Sequence, residues 1–307
     1  MYRSIKFFAL SLLIVFAVSG EIEPHLKKIE EKPAGHDMPN IDYIYMINLD
    51  KRPEKWEMSL NQLEPYGIVP YRFSAVVGWE LPVETINDIG VKYEPWMEGG
   101  FMATSYKPEN NLKPTHEIIE TVGQTYFCHC MSRGAIGIVL SHLSVLQDAW
   151  DCGYETIWVM EDDIDVLQDP RIISDLISEL DSQVGKDNWD ILFTDRDTRK
   201  KNGEYVPARG VARRPNFNPQ DKSQYYIDES ISEEFRQIGA RFGAYSMIIR
   251  RSGIEKILEF YRNYQAFLPY DMDNYLPLGM KMFTVNQDVV ASLTDALSDN
   301  GRANYLK

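Results

Sequence analysis

A cluster of carboxylates follows a strand near the middle of the chain. Residues 156–165 read TIWVMEDDID, so five residues of strand character lead directly into Glu161, Asp162, Asp163 and Asp165. Like charges this close are costly to bury unless positive charge lies among them. Carboxylate oxygens are the ligands that hard divalent cations prefer. The stretch alone is equally compatible with a metal site and with a solvated acidic turn.

Two other groups of polar residues also follow predicted strands or turns. The segment Asn48-Leu49-Asp50-Lys51-Arg52 ends an apolar strand, and Asp271 and Asp273 follow Leu268-Pro269. Basic residues at one position and acidic residues at another suit a diphosphate bridged by a metal ion, in which the metal neutralises the phosphates. The chain contains neither G-x-x-x-x-G-K-[ST] nor G-x-G-x-x-G, which argues against a P-loop or a dinucleotide-binding fold.

The elements that would position these residues alternate along the chain. Apolar runs predict strands at 43–49, 71–77, 156–160, 190–194, 244–249 and 281–285. Helical spacing and start signals predict helices that begin near Pro53, Ser132, Asp169 and Ser252. This order predicts an α/β fold with a mostly parallel central sheet covered by helices on both faces. Ligands of such sheets bind at the carboxyl ends of the strands.

Two segments are less regular. Residues 80–130 indicate loops with one or two short helices, inserted against an edge of the sheet. Residues 196–238 are polar, and they suit either a lid over a substrate or a surface excursion.

The composition and the N-terminus limit the partners and the compartment. With 32 basic and 46 acidic residues the formal charge is −14, which argues against a nucleic-acid partner. Arg3 and Lys6 precede the apolar run 7–18, the pattern of a cleaved secretory signal over residues 1–20. An uncleaved anchor is the alternative, and only that would associate the protein with a membrane. Residues 21–40 are interpreted as a linker and 41–307 as one domain, exported to the periplasm, the extracellular space or the ER/Golgi lumen.

The three cysteines leave several states open. Cys128 and Cys130 flank a single histidine, a spacing that closes on itself with difficulty, whereas a bridge from Cys152 to either of them is feasible. A zinc site is disfavoured because no second Cys/His cluster follows at ligand spacing.

The chain resembles glycosyltransferase family 25, which includes lipooligosaccharide and collagen galactosyltransferases. The resemblance rests on four blocks in the order of the family: YMINLDKRPEKWEMSLNQL (45–63), RFSAVVGWEL (72–81), GAIGIVLSHLSVLQDAWDCGYETIWVMEDD (134–163), and FGAYSMIIRRSGIEKIL (242–258) with LPYDMDNYL (268–276). It implies a GT-A-like fold, a nucleotide-sugar donor (most often UDP-linked), inversion at the anomeric carbon, and a divalent metal, usually Mn²⁺.

The resemblance also implies roles for individual residues. Glu161 and Asp163 match a DxD-like metal motif, with Asp162 as a further donor contact, and Ser141-His142 match a Leu-Ser-His helix. Asp273, or its neighbour Asp271, would activate the acceptor hydroxyl. The remaining donor-binding candidates are Asn48, Leu49, Arg52, Gly243, Ala244 and Tyr245. The chain departs from the family pattern at Trp56, Val77, Ile138 and Asn274, and at Val77 and Asn274 the family tends to keep a carboxylate.

These features lead to one main hypothesis and two alternatives. The main hypothesis is a metal-dependent inverting hexosyltransferase that moves galactose from a UDP-sugar to a glycan or hydroxylated acceptor, in lipopolysaccharide or glycoprotein glycosylation. The first alternative is a catalytically weak member of the family that acts as an exported sugar-binding protein. The second is a metal-dependent phosphohydrolase, which leaves the four ordered blocks unexplained.

Overall fold

A computed structural model describes residues 21–110 and 113–294, so the predicted signal at 1–20 lies outside the described residues. Over the described ranges the chain forms six α-helices and fourteen strands. The helices are α1 (Pro53–Leu63), α2 (Val83–Ile89), α3 (Arg133–Asp151), α4 (Ile172–Val184), α5 (Arg251–Tyr264) and α6 (Tyr270–Asp273). The strands are β1 (Tyr43–Asn48), β2 (Tyr71–Ser74), β3 (Val91–Lys92), β4 (Met102–Tyr106), β5 (Pro114–Ile118), β6 (Thr125–Cys128), β7 (Thr156–Glu161), β8 (Ile164–Val166), β9 (Ile191–Phe193), β10 (Asp228–Ser230), β11 (Phe235–Ile238), β12 (Ser246–Arg250), β13 (Met282–Val285) and β14 (Val290–Ser292). Among these helices, none has the length and apolar character needed to cross a membrane.

Eight of the described strands form one sheet in the order β10-β11-β13-β9-β12-β7-β1-β2. β1 is parallel to both β2 and β7, and β9 is parallel to β13. β12 runs antiparallel between β7 and β9, and β11 runs antiparallel to β13 and β10. Six of the eight strands therefore share one direction, as expected for a mostly parallel sheet.

The two faces of the sheet bury two apolar layers. Side chains alternate along β1, so Tyr43, Tyr45 and Ile47 pack with α3 and α5, whereas Ile44 and Met46 pack with α1 and α4. All six residues of β1 are buried, which explains its continuous apolar sequence. The prediction of an α/β fold with helices on both faces is confirmed.

The segment 80–130 is more ordered than its sequence indicates. Besides α2 it forms an antiparallel sheet in the order β3-β6-β4-β5. The prediction of loops with short helices missed these strands because their apolar pattern is weak. β5, for example, alternates between exposed and half-buried residues and has no fully buried one.

The polar segment 196–238 belongs to the body of the domain, because it supplies β10 and β11 to the main sheet. Arg214, within the segment, is buried and pairs with the carboxylate of Asp273. Arg241, just after it, is also buried and pairs with Asp195. Breaking a buried ion pair by removing one partner costs about 3–5 kcal/mol, so these contacts hold the segment in place. Neither a detached lid nor a surface excursion describes it.

Candidate active site

A cleft opens at the carboxyl ends of β1, β2 and β7. It encloses about 740 Å³, including its open mouth. The lining residues are Ile47, Leu49, Lys51, Lys55, Ala75, Val76, Val77, Gly78, Trp79, Gly134, Ile138, Ser141, His142, Glu161, Asp162 and Asp163. The three carboxylates predicted to bind metal and donor thus share one cleft with Leu49. Sequence reasoning missed Lys55 and Trp79, which lie on the first turn of α1 and in the turn after β2.

Asn48 connects the first strand to the acidic cluster. Its side chain is almost fully buried, and its Nδ2 donates to Asp162 Oδ2 at 2.6 Å and to the Arg52 carbonyl at 2.9 Å. Its Oδ1 accepts two hydrogen bonds from the Arg72 guanidinium. The contact with Asp162 follows from the parallel pairing of β1 with β7, and the contact with Arg72 follows from the pairing of β1 with β2. Asn48 therefore orients Asp162 from below the cleft.

Two cations lie near the carboxylates. Lys55 Nζ is 3.8 Å from Asp162 Oδ1, and Lys51 also lines the cleft. Burial raises the pKa of Asp162, while the hydrogen bond from Asn48 and the charge of Lys55 oppose that shift. Arg52, predicted to contact the donor, directs its Nε to Glu54 Oε1 at 2.5 Å and contributes its carbonyl to the Asn48 contact.

Asp163 has the features of a carboxylate that needs a cation. Its Oδ1 is buried and has no hydrogen-bond partner among residues 21–110 and 113–294. Burial, followed by the charges of Glu161 and Asp162, raises the pKa of Asp163 to about 7. A buried carboxylate without a donor is costly, and a divalent cation would remove that cost.

The carboxylates fit a cation that a ligand helps to hold. Within the described ranges, no three His, Cys, Asp or Glu side chains are grouped so that they could hold a metal ion by themselves. Mg²⁺-type ions that act on phosphates are commonly held by one or two carboxylates, with substrate phosphates and water completing the coordination. Glu161 and Asp163 suit that kind of open site.

His142, on α3, contacts the carboxylate of Glu161. Its Nε2 lies 3.0 Å from Glu161 Oε1, and its ring stacks on Tyr270 with centroids 4.0 Å apart and planes at 12°. The imidazole is almost completely buried, and its Nδ1 has no hydrogen-bond partner in the described part of the chain. This contact joins α3, β7 and α6 at the base of the cleft.

Close packing of two glycines shapes one wall of the cleft. A Cβ on Gly137 would lie 2.6 Å from both Gly78 N and the Val76 carbonyl oxygen, so the turn after β2 rests directly on the backbone of α3. The Val76 N–H donates to Ser141 Oγ at 2.8 Å and fixes this approach. The helix α3, which carries the Leu-Ser-His sequence, therefore supplies Ser141 to this wall of the cleft and His142 to its base.

The segment 243–245 reaches the site through the backbone. The Glu161 N–H donates to the Tyr245 carbonyl at 2.9 Å, which continues the pairing of β7 with β12. The Gly243 N–H donates to Asp271 Oδ2 at 2.8 Å. At a φ of +80°, Gly243 adopts a backbone conformation that favours glycine, and a Cβ there would overlap the ring of Tyr245. Ala244 is buried, so these residues support the site from behind.

The two candidate bases on α6 have different surroundings. Asp273 is completely buried, pairs with Arg214 and accepts from the Leu268 N–H at 3.1 Å. Burial raises its pKa, and the Arg214 charge opposes that shift. Asp271 is partly exposed and accepts from Gly243. The structure therefore separates a carboxylate sequestered in the core from one that solvent reaches.

Comparison with known proteins identifies the family to which the chain belongs. The model of the family described as "Glycosyltransferase family 25 (LPS biosynthesis protein)" matches residues 41–275. A "Glycosyltransferase 25 family member" of Aedes aegypti is 27% identical over 168 residues, which are 55% of this chain and 23% of that protein. "Procollagen galactosyltransferase 1" of Danio rerio is 24% identical over 223 residues, 72% of this chain and 32% of that protein. The human "Inactive glycosyltransferase 25 family member 3" is 24% identical over 155 residues, 50% of this chain and 22% of that protein.

The chain thus matches less than a third of the length of each of these relatives. The family model, in contrast, covers most of the chain, from β1 to just beyond α6. It includes the cleft, the acidic cluster and both aspartates of α6. The chain belongs to glycosyltransferase family 25.

Proposed function

We propose that this protein transfers galactose from a UDP-linked donor to a hydroxyl group of a glycan or hydroxylated acceptor. The transfer inverts the anomeric carbon, uses a divalent cation such as Mn²⁺, and takes place on a GT-A-like fold. The observation that carries this proposal is the buried Oδ1 of Asp163, which has no hydrogen-bond partner among the described residues, in a cleft that also holds two lysines. Because the sequence predicts a secretory signal, we assign this activity to an exported or luminal compartment.

The charges of the cleft suit a nucleotide diphosphate. A chain of formal charge −14 repels an anionic donor unless positive charge is concentrated at the binding site. Lys51 and Lys55 provide part of that charge. Glu161 and Asp163 would hold the cation, which on binding supplies Lewis-acid stabilisation of the departing diphosphate. Asn48 and His142 hold Asp162 and Glu161 in place, so the carboxylates are positioned before the donor arrives.

Asp271 is the residue that we assign as the base. It takes the proton of the acceptor hydroxyl, and that oxygen forms a bond to the anomeric carbon while the bond to the diphosphate oxygen breaks. Asp273 is unsuited to this role because its carboxylate is enclosed with Arg214 and has no exposure to an acceptor. Asp273 instead fixes the loop that leads into α6, where it accepts from the Leu268 N–H.

The chain has Val77 and Asn274 at two positions where the family tends to keep a carboxylate, and the two differences have different consequences. Asn274 is buried, with its Nδ2 3.8 Å from Met247 Sδ, so a carboxylate there would lie in the core and outside the cleft. Val77 lines the cleft, so this wall presents an apolar side chain to the donor. The difference at Val77, together with the name of the human relative, motivates the second candidate function, a sugar-binding protein without turnover.

The test measures release of UDP and transfer of galactose from UDP-galactose with Mn²⁺. Wild type is compared with Asp163→Ala and with Asp165→Asn, which alters a partly exposed carboxylate of the same stretch. We expect loss of turnover in the first variant alone. Equal turnover in wild type and Asp163→Ala refutes the metal assignment. Calorimetry separates the two functions, since glycan binding without affinity for UDP supports the binding protein.

A further inference from the structure

The Cys128-His129-Cys130 turn brings two thiols into contact. β6 ends at Cys128, and the Met131 N–H donates to the Cys128 carbonyl at 3.0 Å, which folds the chain back on itself. As a result the two sulfur atoms lie 3.0 Å apart. A disulfide has a sulfur–sulfur distance of about 2.05 Å, so a small movement closes the bond. The spacing in the sequence argued against this closure, but the turn makes it accessible.

The two thiols are chemically unequal. Cys128 is buried and Cys130 is exposed. The hydrogen bond between them lowers the pKa of Cys130, and the same bond together with burial raises the pKa of Cys128. The thiolate is the form that attacks disulfides, and the attacking thiol must be accessible. Cys130 is the accessible thiol of the pair, and its lowered pKa favours its thiolate over that of Cys128.

Cys152 cannot reach either of these residues. The helix α3 begins one residue after the N-cap Ser132, and Cys152 is its C-cap. Its 19 residues span about 28 Å, whereas a disulfide requires Cα atoms within about 7 Å. Cys152 instead lies 3.5 Å from Lys32 Nζ. The bridge to Cys152 that the sequence left open is therefore excluded by the length of α3.

We propose that Cys128 and Cys130 form a redox-active dithiol that reacts with low-molecular-weight disulfides and closes to a disulfide within the turn. The Cys130 thiolate attacks one sulfur of the oxidant and expels the other as a thiolate. Cys128 then loses its proton and attacks the Cys130 sulfur, which releases the second half of the oxidant. Two protein thiols are oxidised to one disulfide, and one disulfide is reduced to two thiols.

The dithiol lies beside the loop that carries the proposed base. The Cys128 N–H donates to the Phe267 carbonyl at 2.8 Å, and the next residue, Leu268, donates its N–H to Asp273. The site is thus next to α6 and does not line the cleft, and the charges of Asp271 and Asp273 oppose ionisation of Cys130 and Cys128, respectively.

The full chain, equilibrated in glutathione buffers of increasing oxidised fraction and quenched in acid, tests the proposal. We expect wild type to pass from three free thiols to one, with a mass loss of two hydrogens in the peptide that contains residues 128–130. Cys152→Ser should pass from two free thiols to none at the same buffer ratio. Three free thiols in fully oxidised buffer, or a bridge that maps to Cys152 or to a second chain, overturns the proposal.

Single variants test the order of attack. Cys128→Ser should accumulate a mixed disulfide with glutathione on Cys130, because the resolving thiol is absent, whereas Cys130→Ser should remain unmodified on its buried cysteine. Accumulation on Cys128 in place of Cys130 contradicts the assignment. Because Cys128 is buried, near-UV circular dichroism must show that the Cys128→Ser variant is folded. Whether Cys128 and Cys130 form a disulfide is decided by peptide mapping of the wild-type protein, which requires no variant.

Discussion

Replacement of Asp163 by asparagine should stabilise the metal-free protein and should remove most of the stabilisation that metal gives to wild type. In the protein without metal, the folded state disfavours the ionised carboxylate, since its Oδ1 is buried without a partner in the described chain and two carboxylates are its neighbours. Asparagine has the same shape and carries no charge. The metal-free variant should therefore be more stable than wild type above neutral pH.

The pKa sets the size and the pH window of this effect. Burial and the neighbouring charges raise the pKa of Asp163 from 3.8 to about 7, so between pH 4 and pH 7 the folded state binds more protons at this site than the unfolded state. The stability of wild type consequently falls as pH rises through that window. Above pH 7 the full cost applies, with an upper limit of about 4 kcal/mol. At pH 4 the carboxyl is protonated and the two proteins should have equal stability.

Metal should offset most of this difference. A cation with UDP, at about one hundred times its dissociation constant, stabilises the folded state of wild type by about 2.7 kcal/mol, and the asparagine variant should gain little from it. The measurement is urea denaturation at pH 5, 6, 7 and 8, with and without Mn²⁺ and UDP. Asp165→Asn is the matched control, because Asp165 has a partly exposed side chain that pairs with Arg199 at 3.9 Å. This variant should be stabilised by Mn²⁺ and UDP as much as wild type. A destabilised metal-free Asp163→Asn protein at pH 8, or an undiminished response to Mn²⁺, would refute this reasoning.

Two further pairs of variants separate structural from ligand-binding roles. Arg214→Leu leaves Asp273 buried and uncompensated, so it should lower the free energy of unfolding by about 3–5 kcal/mol in urea denaturation. Arg213→Leu, at an exposed position, should change the free energy of unfolding far less. Equal losses in the two variants would contradict the buried pair. Trp79→Ala removes a half-exposed indole from the rim of the cleft and should raise KM or weaken UDP-sugar binding with little change in stability. Trp96, which is 71% exposed and does not line the cleft, provides the control variant that should leave both values unchanged.

Secondary structure was predicted most accurately where one local pattern of residues is sufficient to specify the element. β1 and β7 are continuous apolar runs, and α3 combines an N-cap serine, whose Oγ accepts from the Ala135 N–H, with an apolar stripe. β1 and β7 were found within one residue of their predicted bounds, and α3 begins one residue after the predicted start at Ser132. β4 and β5 were missed because their stability depends on backbone pairing with each other and with β6, and their side chains carry little of the pattern.

The same distinction applies to the site. Glu161, Asp162 and Asp163 are adjacent in sequence and follow directly on a predicted strand, so the local sequence is sufficient to predict that they lie together. Lys55 reaches the cleft only because the first turn of α1 packs over the end of β7, where its neighbour Ser59 donates to the Asp162 carbonyl at 2.9 Å. No periodicity in the sequence specifies that contact, since it depends on the crossing of two elements about one hundred residues apart.

The aspartates of α6 show why the role of a carboxylate depends on distant residues. Asp271 and Asp273 are two positions apart on a four-residue helix, and nothing in their local sequence distinguishes them. Arg214, 59 residues earlier, enters the core and takes Asp273 as its partner. A carboxylate that must neutralise a buried guanidinium cannot also accept a proton from an external hydroxyl without leaving that charge uncompensated. The proposal that Asp271 is the base therefore rests on the burial of an arginine in a segment whose polar sequence suggested a lid or a surface excursion.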